Sequence, residues 1–224
     1  MNLAETLHLH ARWTADLTAE QRSRVLADLA VQQVVAGDPI CAKGEAVDAW
    51  IGILHGLAKI SSSAPDGRTL SFTGVPPGGW FGEGSLLKYE PRRYDASALR
   101  DSLVARLPRA TFDWLLDNSI SFNRFLLIQL NERLAQFIAR LEYEYPLEPE
   151  AKLARCIADL FNPILYPGSG PRLEISQAEI ALLVGTSRQR ANQSLQVLEK
   201  AGLVKIEYGA IQVLDLEGLR NFGP

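Results

Sequence analysis

The 224-residue chain is poor in the residues that build metal and redox sites, with two cysteines, one methionine and three histidines. Cys41 and Cys156 are far apart in sequence and neither belongs to a C-x-x-C pair. That excludes zinc ribbons and dithiol redox motifs and leaves two free thiols as the expectation. His8, His10 and His55 have no cysteine or carboxylate cluster around them, so no metal site is expected. No stretch approaches the ~18 apolar residues of a membrane span. The opening residues MNLAETLHLHARWTADL carry neither the basic start nor the apolar core of a signal peptide, so a cytoplasmic protein without membrane contact is expected. Charge of one sign is not in excess either. There are 23 Lys+Arg and 26 Asp+Glu, a net charge of −3, which excludes a uniformly basic nucleic-acid coat but leaves a local basic surface open. The signatures G-x-x-x-x-G-K-[ST], H-E-x-x-H and G-x-S-x-G are absent, so the chain is not expected to be an enzyme.

What is present has three textures. Hydrophobic residues make up 47% and charged residues 22%, a globular composition with length for one large or two modest domains. Thr18–Ala30 reads as a short helix opened by a capping box of Thr18 and Gln21. From Val34 to about Leu107 the period shortens to that of strands, and ten of the 17 glycines fall between Gly37 and Gly84. Pro65-Asp66-Gly67 reads as a tight turn. Short strands with frequent turns predict a small β-barrel or roll. Arg109–Tyr145 reads as helical, and Leu127, Leu130, Leu134, Phe137 and Leu141 follow the 3,4 spacing of a heptad seam. Pro146 and Pro149 interrupt that pattern and mark a hinge at Pro146–Glu150. Beyond it come a helix over Ala151–Leu160, a Pro/Gly-rich loop at 162–171, two short helices and a hairpin turning at Tyr208-Gly209.

Two constellations carry chemistry. In Ser176–Gly202, a capping box of Ser176 and Glu179 opens one helix, Gly185 supplies a turn, and Thr186 with Gln189 opens a second. Ile180, Leu183, Leu195 and Leu198 would join the two helices. Thr186, Ser187, Arg188, Gln189, Arg190, Asn192 and Gln193 crowd the start of the second, where a recognition helix meets DNA. Arg donates twice to guanine, Asn or Gln pairs with adenine, and helix-end amides and Ser187 suit phosphate, with Ser176 also counted among the DNA-binding residues. The second constellation is Gly82-Glu83-Gly84-Ser85, followed by Arg92, Arg93, Tyr94 and Asp95. A Glu can accept from a ribose hydroxyl and an Arg can neutralise a phosphate. The same pattern also suits a glycine-rich barrel corner with a surface Glu–Arg pair.

Together these features resemble the CRP/FNR family of bacterial transcription regulators, over nearly the whole chain. The resemblance implies an α+β fold. A cyclic-nucleotide-binding-type β-roll would span residues 1–108, a dimerisation helix 109–145 and a winged helix-turn-helix 146–224. It implies a homodimer joined through Leu127, Leu130, Leu134, Phe137 and Leu141, binding double-stranded DNA at a pseudo-palindromic operator, with RNA polymerase as a further partner. Position by position, Glu83 matches the ribose-binding Glu, Arg93 the phosphate-binding Arg, Gly82, Gly84 and Ser85 the cassette backbone, and Arg188 a guanine-contacting Arg. Tyr94 stands where cyclic AMP binders of the family usually carry Ser or Thr. Phe137 and Ile138 stand where hydroxyls reach the adenine, and neither can make those bonds. Arg92-Arg93-Tyr94-Asp95 also spells R-x-x-D, which resembles cyclic di-GMP sites. The effector readings are therefore cyclic AMP, cyclic GMP or cyclic di-GMP, with no tightly bound cofactor. An effector-independent regulator and a nucleotide-sensing module that no longer reads DNA are the alternatives. The iron–sulfur branch of the family needs a cysteine cluster, which two distant cysteines cannot supply. Residues 146–224 carry 8 Lys+Arg and 9 Asp+Glu. The DNA-reading half is thus not basic, and a shallow salt dependence is expected.

Overall fold

The computed structural model describes residues 10–63, 69–142 and 148–223. The Pro65-Asp66-Gly67 turn, His8, the Pro146 hinge and the Leu141 side chain lie outside the described residues. Helix α1 (Ala19–Asp28) starts at Thr18, whose hydroxyl accepts from the Gln21 N–H while the Gln21 side chain accepts from the Thr18 N–H. Two antiparallel sheets then form the roll. One comprises β1 (Ala30–Val34), β3 (Ala49–His55), β6 (Trp80–Phe81) and β8 (Ser102–Pro108) in the order β1-β8-β3-β6. The other comprises β2 (Pro39–Cys41), β4 (Ala58–Ser63), β5 (Thr69–Val75) and β7 (Asp95–Ala98) in the order β2-β7-β4-β5. Helix α2 (Glu83–Leu87) follows β6 directly. Because β3 is buried almost throughout, it reads as a continuous apolar run rather than an alternation.

The stretch read as helical from Arg109 divides into α3 (Arg109–Asn118) and α4 (Ile120–Glu142). The break is Ser119, which leaves the helical region and accepts from the Phe122 N–H through Oγ. Under α3 and α4 lies an aromatic cluster of Trp13, Trp50, Trp80, Phe112 and Phe122. The rings of Trp50 and Trp80 are 4.6 Å apart, and those of Trp13 and Trp80 5.3 Å. The close stack needs Gly52, where a Cβ would fall 2.5 Å from the Trp80 ring.

The C-terminal half contains α5 (Pro149–Asp159), β9 (Arg172–Leu173), α6 (Gln177–Val184), α7 (Arg188–Lys200), the wing strands β10 (Val204–Glu207) and β11 (Ala210–Val213), and α8 (Leu216–Arg220). Ser176 and Glu179 cap α6 reciprocally, and Gly185 ends it with φ +73°. The next cap is Ser187, one residue beyond the Thr186/Gln189 box read from sequence. Its hydroxyl accepts from the Arg190 N–H at 3.3 Å, and α7 begins at Arg188. Thr186 is half-buried and donates its backbone N–H to the Ala181 carbonyl.

The winged half is seated on the roll. Leu57 of the roll is buried in the winged core, with Leu99 packed against it, and Leu165 and Tyr166 are buried in the core of the roll. Arg100 grips Glu179 through Nε and Nη2 at 2.8 and 2.9 Å, and the Ser71 hydroxyl donates to the Leu182 carbonyl at 2.8 Å. Burial pushes the Glu179 carboxyl up, but Arg100 and the Ser176 donors outweigh it and hold the group below its ordinary range.

Candidate functional site

A cavity of ≈ 260 Å³ opens between the roll and α4. Ile60, Phe72, Tyr94, Leu130 and Phe137 form its apolar walls, and Glu83, Gly84, Ser85, Arg93 and Arg133 supply polar groups. The sequence folds this way locally because Gly82 takes φ +96° as the N-cap of α2. That conformation, which Gly adopts without a Cβ clash, turns the chain from β6 into the helix and buries the Glu83 side chain to 5% exposure.

Glu83 is held from two sides. The Trp50 indole N–H donates to Oε2 at 3.3 Å, and Arg133 Nε lies 3.1 Å from Oε1. Arg133 also donates to the Trp80 carbonyl, which accepts from Gln129 Nε2 at 2.7 Å as well. Helix α4 is thereby clamped to the strand that leads into the Glu83 turn. Burial presses against the Arg133 charge, and the Glu83 carboxylate beside it leads the groups that offset the penalty, so the guanidinium stays protonated. The Tyr94 phenol is pushed up by burial and then by the nearby Glu83 charge. It is a neutral hydroxyl at physiological pH. The sequence reading did not pick out Arg133. The available signal was a single cation among the heptad-spaced Leu130, Leu134 and Phe137.

The two adjacent arginines have different fates. Arg93 is exposed at the rim and donates to Glu90 through Nε at 2.9 Å and Nη2 at 2.7 Å. Those bonds, then Lys88, lower the Glu90 carboxyl to about 2. A carboxyl depressed in the folded state stabilises above its ordinary range, and that contribution is lost only as pH falls toward about 2. The clamp on Arg93 is therefore constant through neutral pH. Arg92 is buried and donates to the Ala49 carbonyl at 3.0 Å. Asp95 accepts from the Lys43 N–H at 2.8 Å. Neither lines the cavity, so the expectation that Arg92 and Asp95 face an effector is corrected. The chain bends at Arg93 and Tyr94 before β7, and Arg92, just ahead of the bend, turns inward. Phe137 lines the cavity and is also 51% exposed on the outer side of α4. Leu130 lines the cavity and is half-buried, whereas Leu127 and Leu134 are exposed. We expect Glu90→Gln to free Arg93 and tighten phosphate-bearing ligands roughly two- to fivefold, the scale of an exposed ion pair. Calorimetry at constant salt checks this.

On the winged half, Ser187, Arg188, Gln189, Arg190 and Gln193 are exposed along the start of α7, with Asn192 half-buried beside them. The inner face of the same helix buries Ala191, Leu195 and Leu198. The Ser176 hydroxyl is engaged in its cap, accepting from the Glu179 N–H. Tyr208 stands fully exposed at the tip of the wing.

A roll with a cavity beside a long helix, joined to a winged helix-turn-helix, is the architecture of a DNA-binding transcription regulator. Residues 31–119 match the cyclic nucleotide-binding domain, and residues 132–222 match the Crp-like helix-turn-helix domain. The chain belongs to the CRP/FNR family of transcription regulators. It is 30% identical over 181 residues to the cyclic AMP receptor protein of Thermus thermophilus, covering 79% of this chain and 80% of that one. It is 29% identical over 171 residues to the transcriptional regulator SdrP of the same organism, covering 75% and 81%. Among solved structures it is similar in fold to the c-di-GMP responsive global regulator CLP of Xanthomonas campestris. There the TM-score is 0.60 at 22% identity, over 88% of this chain and 99% of that one. Among the described residues, no helix is long and apolar enough to cross a membrane.

Proposed function

We propose that the cavity binds a cyclic mononucleotide and that the protein is a cytoplasmic homodimer which reads a pseudo-palindromic operator and addresses RNA polymerase there. The observation that carries the effector reading is the pairing of buried Glu83 with Arg93 at the rim of one cavity. Glu83 would accept from a ribose hydroxyl and Arg93 would leave Glu90 to neutralise the cyclic phosphate. Phe72 and Phe137 offer faces for a base. Arg92 and Asp95 are committed to the roll's own backbone, which weighs against cyclic di-GMP at the R-x-x-D segment.

The dimer reading rests on α4. Leu127, Ile128, Leu134, Phe137 and Ile138 stand between 49% and 69% exposed along it, an apolar face of the kind that pairs with a second helix. Ligand against Phe137 would then shift the population of helix arrangements and set the two recognition helices about 34 Å apart. Leu134→Glu is expected to give a monomer by analytical ultracentrifugation and to lose specific operator binding with it.

The test of the effector is calorimetry of the full chain with cyclic AMP, cyclic GMP and cyclic di-GMP, repeated on Arg93→Ala and Asp95→Ala. The expected result is mononucleotide binding that weakens in Arg93→Ala and persists in Asp95→Ala. Cyclic di-GMP binding that disappears in Asp95→Ala would overturn it. Footprinting with and without nucleotide tests the DNA reading separately.

A further inference from the structure

The residues lining the cavity carry three cations, Lys88, Arg93 and Arg133, against two carboxylates, Glu83 and Glu90. The chain as a whole has the opposite surplus, with a net charge of −3. Glu83 is matched by Arg133 at 3.1 Å, which leaves Glu90 facing both remaining cations. Its Oε1 lies 2.5 Å from Lys88 Nζ and accepts from Arg93 Nε at 2.9 Å, and its Oε2 accepts from Arg93 Nη2 at 2.7 Å. The carboxylate lies inward of its partners. The Glu90 side chain is 22% exposed, that of Lys88 58% and that of Arg93 70%.

The turn that delivers Glu90 is set by the residue before it. Tyr89 takes φ +51°, the one non-glycine among the described residues with a positive φ. A side chain of that bulk rarely adopts this conformation, and it persists where the surroundings over-determine it. Here the Tyr89 hydroxyl donates to Asp113 Oδ2 at 3.1 Å, and the Arg109 guanidinium stands 4.8 Å from the ring centre. The Glu90 N–H donates to the Ser85 carbonyl at 3.1 Å. Glu90 is thereby held at the cavity mouth between Lys88 and Arg93. Ion pairs between side chains as exposed as these contribute little to stability, so an oxyanion of a ligand can take the place of the carboxylate.

We propose that Lys88 and Arg93 form a single oxyanion subsite, that Glu90 is its resident anion, and that Lys88 binds the effector's phosphate alongside Arg93. A phosphate that displaces the Glu90 carboxylate meets two cations in place of one. A neutral ligand of the same shape, such as a nucleoside, gains neither cation and leaves Glu90 where it is. Glu90 thus acts as a built-in competitor that selects for anionic ligands. Lys88 has two opposed effects, because it holds the competitor in the free protein and the phosphate in the complex. This inference rests on the cavity being the effector site.

The two effects of Lys88 separate once Glu90 is neutral. In the full-length Glu90→Gln variant, adding Lys88→Gln should weaken cyclic AMP or cyclic GMP, whichever the chain takes, by roughly two- to fivefold, the scale of an exposed ion pair. In the wild-type background the same change should cost less, because it also loosens Glu90. Calorimetry at constant salt measures both, and an unchanged affinity in the Glu90→Gln background overturns the proposal. A second measurement needs no nucleotide. In Glu90→Gln isotope-labelled at the lysine Cε carbons, inorganic phosphate should move the Lys88 resonance, assigned by its loss in Lys88→Gln. It should do so at lower concentration than it moves the exposed Lys152 and Lys200. An equal response of all three lysines overturns the proposal as well. If neither cyclic nucleotide binds and Lys88 still responds selectively to phosphate, the subsite stands and the effector reading falls.

Discussion

Replacing Arg133 with Met should cost about 3–5 kcal/mol of stability, the usual penalty for stranding one member of a buried ion pair. The variant removes the cation 3.1 Å from Glu83 and leaves a carboxylate 5% exposed, with the Trp50 indole N–H donating to it. It also takes one of two donors from the Trp80 carbonyl. In a chain of this size the melting temperature should fall by roughly 10 °C. The cause is testable by a second change. Glu83→Gln on top of Arg133→Met removes the stranded charge and should recover most of the loss, because a neutral amide can accept from Trp50 without a counterion. If the double variant is as unstable as the single, the penalty comes from lost packing of the arginine stem and not from charge. Both variants should fail to bind nucleotide, so stability and binding part company in the double variant.

The second large effect belongs to α7. Arg188→Ala should weaken operator binding by about 1–3 kcal/mol, roughly five- to 150-fold per half-site, and relax the base preference at one position of each half-site. Arg188 is exposed at the first residue of the helix, and its side chain makes no hydrogen bond or ion pair among the described residues. Its loss should therefore leave the stability unchanged within about 0.5 kcal/mol. Competition binding against a set of single-base operator variants measures both quantities. Uniform weakening across all bases would mean that Arg188 contacts phosphate. The slope of affinity against salt should stay shallow in wild type and variant alike, since residues 146–224 carry 8 Lys+Arg against 9 Asp+Glu.

The sequence made the caps, turns and periodicities legible because each is set within a few residues. The Thr18/Gln21 and Ser176/Glu179 boxes, the Gly185 turn and the wing alternation are all local. Where two adjacent residues have the same chemistry, local reading loses its power to choose. Thr186 and Ser187 can both cap, and only the backbone geometry selects Ser187. Arg92 and Arg93 can both meet an anion, and only the facing of the chain buries one and exposes the other. Arg133 and Tyr166 were not legible because their meaning is entirely long-range. Arg133 is fifty positions from Glu83, and Tyr166 sits in a loop whose Pro and Gly residues advertise solvent. The apolar triplet Ile164-Leu165-Tyr166 inside that loop was the one clue that it is not all surface.

The burial of Leu165 and Tyr166 in the roll has a consequence for the order in which the protein can be made. Domains fold from the N-terminus as they leave the ribosome, and the roll's strands are complete once residue 108 has emerged. Its core is not, because two of its buried side chains arrive some sixty residues later. The nascent roll therefore waits with an open apolar slot beside Val75, Gly79 and Phe81. Chains stopped near residue 145 should expose that slot permanently and be collected by chaperones, whereas chains carried past residue 170 should close it at once. Ribosome-stalled nascent chains of graded length, probed by limited proteolysis, would locate the point at which the roll becomes resistant.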